Sequence, residues 1–346
     1  MVKKRYNRNM QTNQKKRILI TGGCGFIGHH VIEHILKNTD WDIVVFDRLN
    51  YASGGFDRLR DIEVFNDSRI LMLATDFTHP IQAGLAKEIG DVTYILHMGA
   101  ETHVDKSIEN PEPFVMANVL GTMRLLDFAR TQDTLQKFIY FSTDEVFGPA
   151  PMGVAYKEWD RYNSSNPYAA TKAGGEELSL AYANTYNVPV LITHTMNVFG
   201  ERQHPEKFIP KTINAIRAGE TVCIHADPTK TRAGSRFWIH ARNVSSALLF
   251  LLEHGQIHDK YNIVGEQELD NLSLARHIAN VLQKPLKYEM VDFHSSRPGH
   301  DLRYALDGTK MNKLGWRIPL SFEASLTKTI QWSIAHPQWL RSNFSK

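Results

Sequence analysis

The chain has 346 residues, 42% of them hydrophobic, and a formal net charge of +3, enough for one large domain or two smaller ones sharing a cleft. Its two cysteines, Cys24 and Cys223, lack zinc-like Cys/His spacing; this excludes a disulfide framework and leads us to expect a reducing, cytoplasmic setting. No apolar run approaches the roughly 20 residues of a membrane span and the N-terminus lacks an apolar secretory stretch, so the expectation is a soluble protein without a membrane partner.

Residues 1–16 read as a disordered basic tail. Lys3, Lys4, Arg5, Arg8, Lys15 and Lys16, with Arg17 just after, stand without an acid among them, so the body of the chain is mildly acidic and no nucleic-acid partner is expected. From Arg17 short β-rich apolar runs alternate with helical stretches: RILIT at 17–21, a helix near 26–38, then DIVVFD at 42–47. RILMLATD at 69–76, YILHMGA at 94–100, KFIYFST at 137–143 and VPVLITHTM at 188–196 continue the series. The pattern predicts an α/β fold, a Rossmann-like doubly wound parallel sheet of six or seven strands. Beyond about residue 200 the alternation becomes irregular, with Pro205, Pro210, Pro228 and the polar run ADPTKTRAGSR, before helices near 241–254 and 271–283. The expected organisation is a first domain over 17–200 and a smaller, discontinuous lobe over 201–340, some of whose segments return to the first domain.

TGGCGFIG at 21–28 follows a predicted strand and opens a helix, the context that turns a glycine pattern into a dinucleotide site. Gly22, Gly25 and Gly28 suit a tight turn, close approach to a pyrophosphate and close helix packing. Asp47, ending the next strand, stands where a carboxylate binds the adenosine ribose and repels the extra phosphate of NADP, so NAD is the expected cofactor and the 17–200 domain its binding domain. The adjacent Arg48 argues the other way. Asp76, closing the following strand, is a candidate for the adenine.

Tyr168 and Lys172 stand four apart in SNPYAATKAGGEEL, which starts like a helix with Asn166 and Pro167, so both side chains share one face. A lysine cation beside the phenol is expected to lower its pKa and make it a base for a hydroxyl proton during hydride transfer. FSTDEVFG at 141–148 places Thr143, Asp144 and Glu145 after a buried strand, at the ligand-facing end of the sheet. An adjacent carboxyl pair there can supply both an acid and a base. His103 and His194 have no partner spacing that suggests a metal, and none is expected.

TGGCGFIG, MGAETHVD at 98–105, FSTDEVFG, NPYAATK, HPEKFIP at 204–210 and RPGHDLRYALD at 297–307 together resemble the nucleotide-sugar 4,6-dehydratases of the extended short-chain dehydrogenase/reductase type, dTDP-glucose 4,6-dehydratases above all. The likeness runs from about residue 17 to 340, and Thr-Asp-Glu is its most specific part. It implies a lyase in which Tyr168 deprotonates the sugar's carbon 4 hydroxyl while NAD takes the hydride, with Thr143 hydrogen-bonding that oxygen. Glu145 would remove the carbon 5 proton, Asp144 would protonate the departing carbon 6 hydroxyl, and the hydride would return to carbon 6. The resemblance extends the cofactor site to Phe26, Ile27, Arg48, Asn50, Phe77, Met98, Ala100 and Asn118, and to Tyr168 and Lys172 themselves. It assigns Thr102, Asn197, Lys207, His225, Arg236, Arg297 and His300 to the nucleotide-diphosphate sugar. It implies a homodimer, and so do the apolar residues that 114–130 and the Tyr168 helix carry on a second face.

The chain departs from that family at IHADPTKTRAGSRFWIHARNV, 224–244, where a glycine-rich turn and Arg-Asp-Trp are usual, and it places His225 where a tyrosine near the base is common. The base is therefore left open among dTDP, UDP, CDP and GDP. An epimerase or decarboxylase of the same superfamily would share the cofactor and the Tyr/Lys pair, and a non-catalytic NAD-binding scaffold would carry a defective Tyr, Lys or glycine turn, all of which are intact here.

Overall fold

The computed structural model describes residues 15–292 and 302–341. Strands covered by helices on both faces can be apolar throughout, and short Val/Ile/Leu/Phe runs accordingly assemble into one parallel sheet. β1 (Arg17–Thr21), β2 (Asp42–Asp47) and β3 (Ile70–Ala74) build one half, and β4 (Tyr94–His97), β5 (Lys137–Thr143) and β6 (Val190–Thr195) the other. The chain then leaves through β7 (Asn197–Phe199), β8 (Thr221–Ala226) and β9 (Ser235–His240) before β10 (Lys260–Ile263) returns to pair with β6. The sheet order is β10-β6-β5-β4-β1-β2-β3. β11 (Glu268–Asp270) joins β9 and β7 in a three-stranded sheet, and β12 (Lys287–Asp292) pairs in parallel with β8.

Alternate residues of each strand face opposite sides of the sheet. Ile18, Ile20 and Val45 pack under the helices Phe26–Asn38 and Ala241–His254, whereas Leu19, Val44 and Phe138 pack under Thr122–Ala129 and Pro167–Tyr186. A separate hydrophobic core forms where Ile209 and Ile213 meet Val222, Ile224, Leu274 and Ile278. The helices expected near 26–38, 241–254 and 271–283 run Phe26–Asn38, Ala241–His254 and Asn271–Leu282. The seventh strand, β10, carries only KYNI and gives little apolar signal by itself.

The parallel register aligns the C-terminal ends of β1, β4, β5 and β6: Thr21 pairs with His97, His97 with Tyr140, and Thr143 with Thr195. The strand order reverses between β1 and β4, which opens a crevice at that edge.

Candidate active site

The turn after β1 has the shape a dinucleotide needs. Gly22 has φ +72°, and a Cβ on it would lie 2.9 Å from the Gly99 backbone. A Cβ on Gly28 would collide with the Gly22 carbonyl, so the helix Phe26–Asn38 starts hard against the turn. Gly25 caps that helix without a side-chain hydrogen bond, which leaves first-turn amides for an anion. Gly22, Gly25, Phe26 and Ile27 line one side of a cleft of about 370 Å³, and Phe77, Met98 and Ala100 line it nearby.

Asp47 and Asn50 belong to the same lining. The Asp47 carboxylate accepts the Cys24 amide at 3.0 Å and the Leu49 amide at 2.8 Å; burial raises its pKa, and these amides oppose the rise. Arg48 is ion-paired with Glu101, and its Nη1 lies 3.7 Å from Asp76 Oδ2. Asn50 Nδ2 donates to Glu101 Oε1 at 3.2 Å. Two carboxylates thus neutralise the cation that could otherwise attract a 2′-phosphate, so this end of the cleft fits NAD. Asp76, Gly28 and Asn118 lie outside the lining. Asn118 is a brace: its amide accepts the Glu101 N–H at 2.9 Å and donates to the Glu101 carbonyl and to Thr171 Oγ1, both at 3.0 Å.

At the other end, β5 delivers Thr143, Asp144 and Glu145 into a 3-10 turn, Asp144–Phe147, capped by Thr143 Oγ1, which accepts the Glu145 amide at 3.4 Å. Asn166 caps the helix Pro167–Tyr186 by accepting the Ala169 amide at 2.9 Å and donates from Nδ2 to Glu145 Oε2 at 3.1 Å. One residue therefore fixes both the start of the Tyr168 helix and the carboxylate opposite it. Thr143, Glu145, Tyr168 and Lys172 line the cleft.

Asp144 sits behind that surface. Its Oδ1 accepts the Thr143 hydroxyl at 3.0 Å, while Oδ2 is buried without a hydrogen-bond partner among the described residues. Burial, reinforced by the Glu145 charge, pushes its carboxyl up to about 7, against the opposing pull of Arg236. The expectation that Lys172 lowers the tyrosine's pKa is not met in this arrangement. Burial and then Glu145 raise the phenol above its ordinary range, partly offset by a Thr143 hydrogen bond. Lys172 instead donates to the Phe141 carbonyl at 2.7 Å and lies over the Tyr140 ring, and burial pushes its ammonium down to about 7.

Thr102, Asn197 and Lys207 line the remaining wall. Arg236 and His225 do not: the Arg236 guanidinium donates to the Ser235 and Leu302 carbonyls and lies over Tyr304, and His225 stands on β8. Arg297 and His300 lie outside the described residues. Sequence reasoning passed over Glu101, Tyr51, Gln203, His204, Glu206 and Trp238, which also line the cleft. Glu101, His204 and Glu206 fall inside MGAETHVD and HPEKFIP, so their motifs were visible although their places in the wall were not. Tyr51 and Gln203 have no such signal.

The family model described as GDP-mannose 4,6 dehydratase matches residues 19–329. A low-salt glycan biosynthesis protein of Haloferax volcanii is 38% identical over 91% of this chain and 97% of its own length. The dTDP-glucose 4,6-dehydratase of Salmonella typhimurium is 34% identical over 94% and 95% of the two chains. Among solved structures, a dTDP-glucose 4,6-dehydratase of Streptomyces venezuelae with NAD bound superposes with a TM-score of 0.84 at 34% identity, covering 94% of this chain and all of that one. A UDP-glucuronic acid 4-epimerase of Bacillus cereus shares the fold, with a TM-score of 0.83 at 24% identity, over 92% of this chain and 99% of that one.

Proposed function

The chain belongs to the GDP-mannose 4,6-dehydratase family, and from that premise we propose that it removes water from a dTDP-hexose to give the 4-keto-6-deoxy sugar. Bound NAD would supply the hydride acceptor for carbon 4 and the hydride donor for carbon 6. Tyr168 takes the carbon 4 hydroxyl proton and Thr143 orients that oxygen, while Lys172 would favour the phenolate only once the bound substrate and cofactor draw its ammonium toward Tyr168. Glu145 removes the carbon 5 proton made acidic by the new ketone, and Asp144 gives its proton to the carbon 6 hydroxyl as it departs. Thr102, Asn197 and Lys207 hold the nucleotide sugar from the cleft wall, with Arg297 and His300 completing the diphosphate contacts, and Arg236 and His225, which stand outside that wall, are given no contact in this reading.

The observation that carries this reading is the unequal carboxyl pair. Asp144 is buried with its carboxyl pushed up to about 7, while Glu145 faces the cleft on the Asn166 amide. Eliminating water beside a ketone needs one proton donor and one acceptor, and epimerisation at carbon 4 needs neither of these two. Incubation with dTDP-, UDP-, CDP- and GDP-hexoses is expected to give 4-keto absorbance with the dTDP sugar and without stoichiometric added NAD. A carbon 4 epimer as product, or turnover that consumes NAD stoichiometrically, would count against dehydration, and a different preferred sugar would reassign the base.

We further propose a homodimer in a reducing, cytoplasmic setting. Val115 and Met116 are 46% and 42% exposed on the segment that packs beside the Tyr168 helix, an apolar surface that a second copy would cover. Cys24 and Cys223 are both free, and among the described residues no helix is long and apolar enough to cross a membrane. Light scattering at micromolar concentration is expected to give twice the 39.5 kDa chain mass; the single-chain mass would remove the dimer.

A further inference from the structure

Beneath the cleft, one turn beyond Lys172 on the same helix, Glu176 is fully buried. Its carboxylate gathers donors from four other segments. Ser142 Oγ on β5 and the Tyr162 hydroxyl on the chain leading to the helix both donate to it. His194 Nε2 on β6 lies 3.0 Å away and Lys260 Nζ on β10 lies 3.6 Å away. The Lys260 ammonium donates in turn to the Tyr162 hydroxyl. None of these groups belongs to the cleft wall except Ser142, the residue immediately before Thr143.

A second partner fixes the orientation of the His194 ring. Asn262 commits Nδ2 to the Tyr156 carbonyl at 3.0 Å and the Asp307 carbonyl at 3.1 Å, so its Oδ1 is the atom that faces His194 Nδ1 at 2.9 Å. The imidazole thus has an oxygen at each nitrogen, Asn262 Oδ1 at Nδ1 and the Glu176 carboxylate at Nε2, and is held between them. A carboxylate receiving two hydroxyls, with an imidazole nitrogen and an ammonium close by, is held ionised; its pKa is lowered, against desolvation, chiefly by His194.

We propose that Glu176, locked by His194, is a positioning residue. It ties the helix bearing Tyr168 and Lys172 to the strand end bearing Thr143, Asp144 and Glu145, and it presents a fixed negative charge to the Lys172 ammonium. The idea rests on Lys172 acting in catalysis as a cation. Lys172 is also faced by the Tyr140 ring and the Phe141 carbonyl on β5 and by His97 on β4, and Tyr168 stands four residues before it on its own helix. Among these neighbours only Glu176 opposes the effect of burial on the ammonium. Because burial lowers the lysine and Glu176 raises it, the cation is lost as pH rises, and removing the carboxylate makes that loss begin at lower pH.

The test uses the NAD-loaded enzyme with carbon-13-labelled lysine, the Lys172 signal being identified by its disappearance in Lys172→Met. In Glu176→Gln the Lys172 titration is expected about 1–3 pH units lower than in wild type. Carbon 4 oxidation of dTDP-glucose, followed by cofactor fluorescence, should lose its high-pH activity by the same interval. That half-reaction does not call on Asp144. Ser142→Ala keeps the charge and removes one tether, so it should slow oxidation several-fold without moving the titration. Glu176→Gln leaves His194 and Lys260 without their carboxylate; if it does not fold, Glu176→Gln combined with His194→Asn removes the charge together with its lock and gives the same readout. A Lys172 titration unmoved in the folded variant overturns the proposal. Full activity in Lys172→Met would instead overturn the catalytic reading of Lys172, leaving the titration result to stand by itself.

Discussion

Tyr168→Phe is expected to lower turnover about 10²–10⁴-fold, the range for removing a general acid–base group, while leaving NAD binding, KM and thermal stability near wild type. The ring packs with Val104 and Phe114 in a small buried cluster, and phenylalanine keeps that packing. Only the hydroxyl goes, and with it a hydrogen bond to Thr143, whose own hydroxyl still has Asp144 Oδ1 at 3.0 Å. The loss should therefore fall on kcat. A phenol raised above its ordinary range by burial and by Glu145 is a poor base as it stands, so the reaction depends on the substrate hydroxyl and the Lys172 cation being brought to it. Steady-state kinetics beside a melting curve check the point: unchanged kcat would remove Tyr168 from the chemistry, and a large fall in melting temperature would make its role structural.

How much of this could be read beforehand follows from which interactions are local. TGGCGFIG announces its own turn because three glycines meet steric demands within eight residues, and the collision awaiting a Cβ on Gly28 lies inside that same segment. The Tyr/Lys pair is legible for the same reason, being four apart on one helix. The pKa inference failed because it used spacing alone: where the Lys172 ammonium goes is decided by the Phe141 carbonyl and the Tyr140 ring, which arrive on β5 from about thirty residues away. Long-range partners likewise hid the Arg48–Glu101 pair and the Asn166–Glu145 bond. His194 shows no partner spacing in the sequence, and its partners Glu176 and Asn262 meet it only once the helix and β10 flank β6.

Asp144→Asn and Glu145→Gln are expected each to lower overall dehydration about 10²–10⁴-fold, and to stop the reaction at different places. Both replacements are nearly isosteric, and carbon 4 oxidation depends on Tyr168 and Lys172, so both variants should still bind NAD and show a rise in cofactor fluorescence with the true substrate. Without the Glu145 carboxylate the carbon 5 proton has no acceptor, and solvent deuterium should not enter there. Asp144→Asn keeps that base and loses the acid, so deuterium should enter at carbon 5 while the carbon 6 hydroxyl stays. The pH dependence of the wild-type elimination step carries the same signature. A carboxyl pushed up to about 7 by burial and by its neighbour is still protonated below that pH and loses its proton above it, so elimination should fall on the alkaline side of about 7 as the acid is lost. An isotope-exchange assay at carbon 5 run beside product formation separates these outcomes. Dehydration at the wild-type rate in both variants would show that the pair is not the acid and base, and would move the carbon 4 epimerase reading ahead.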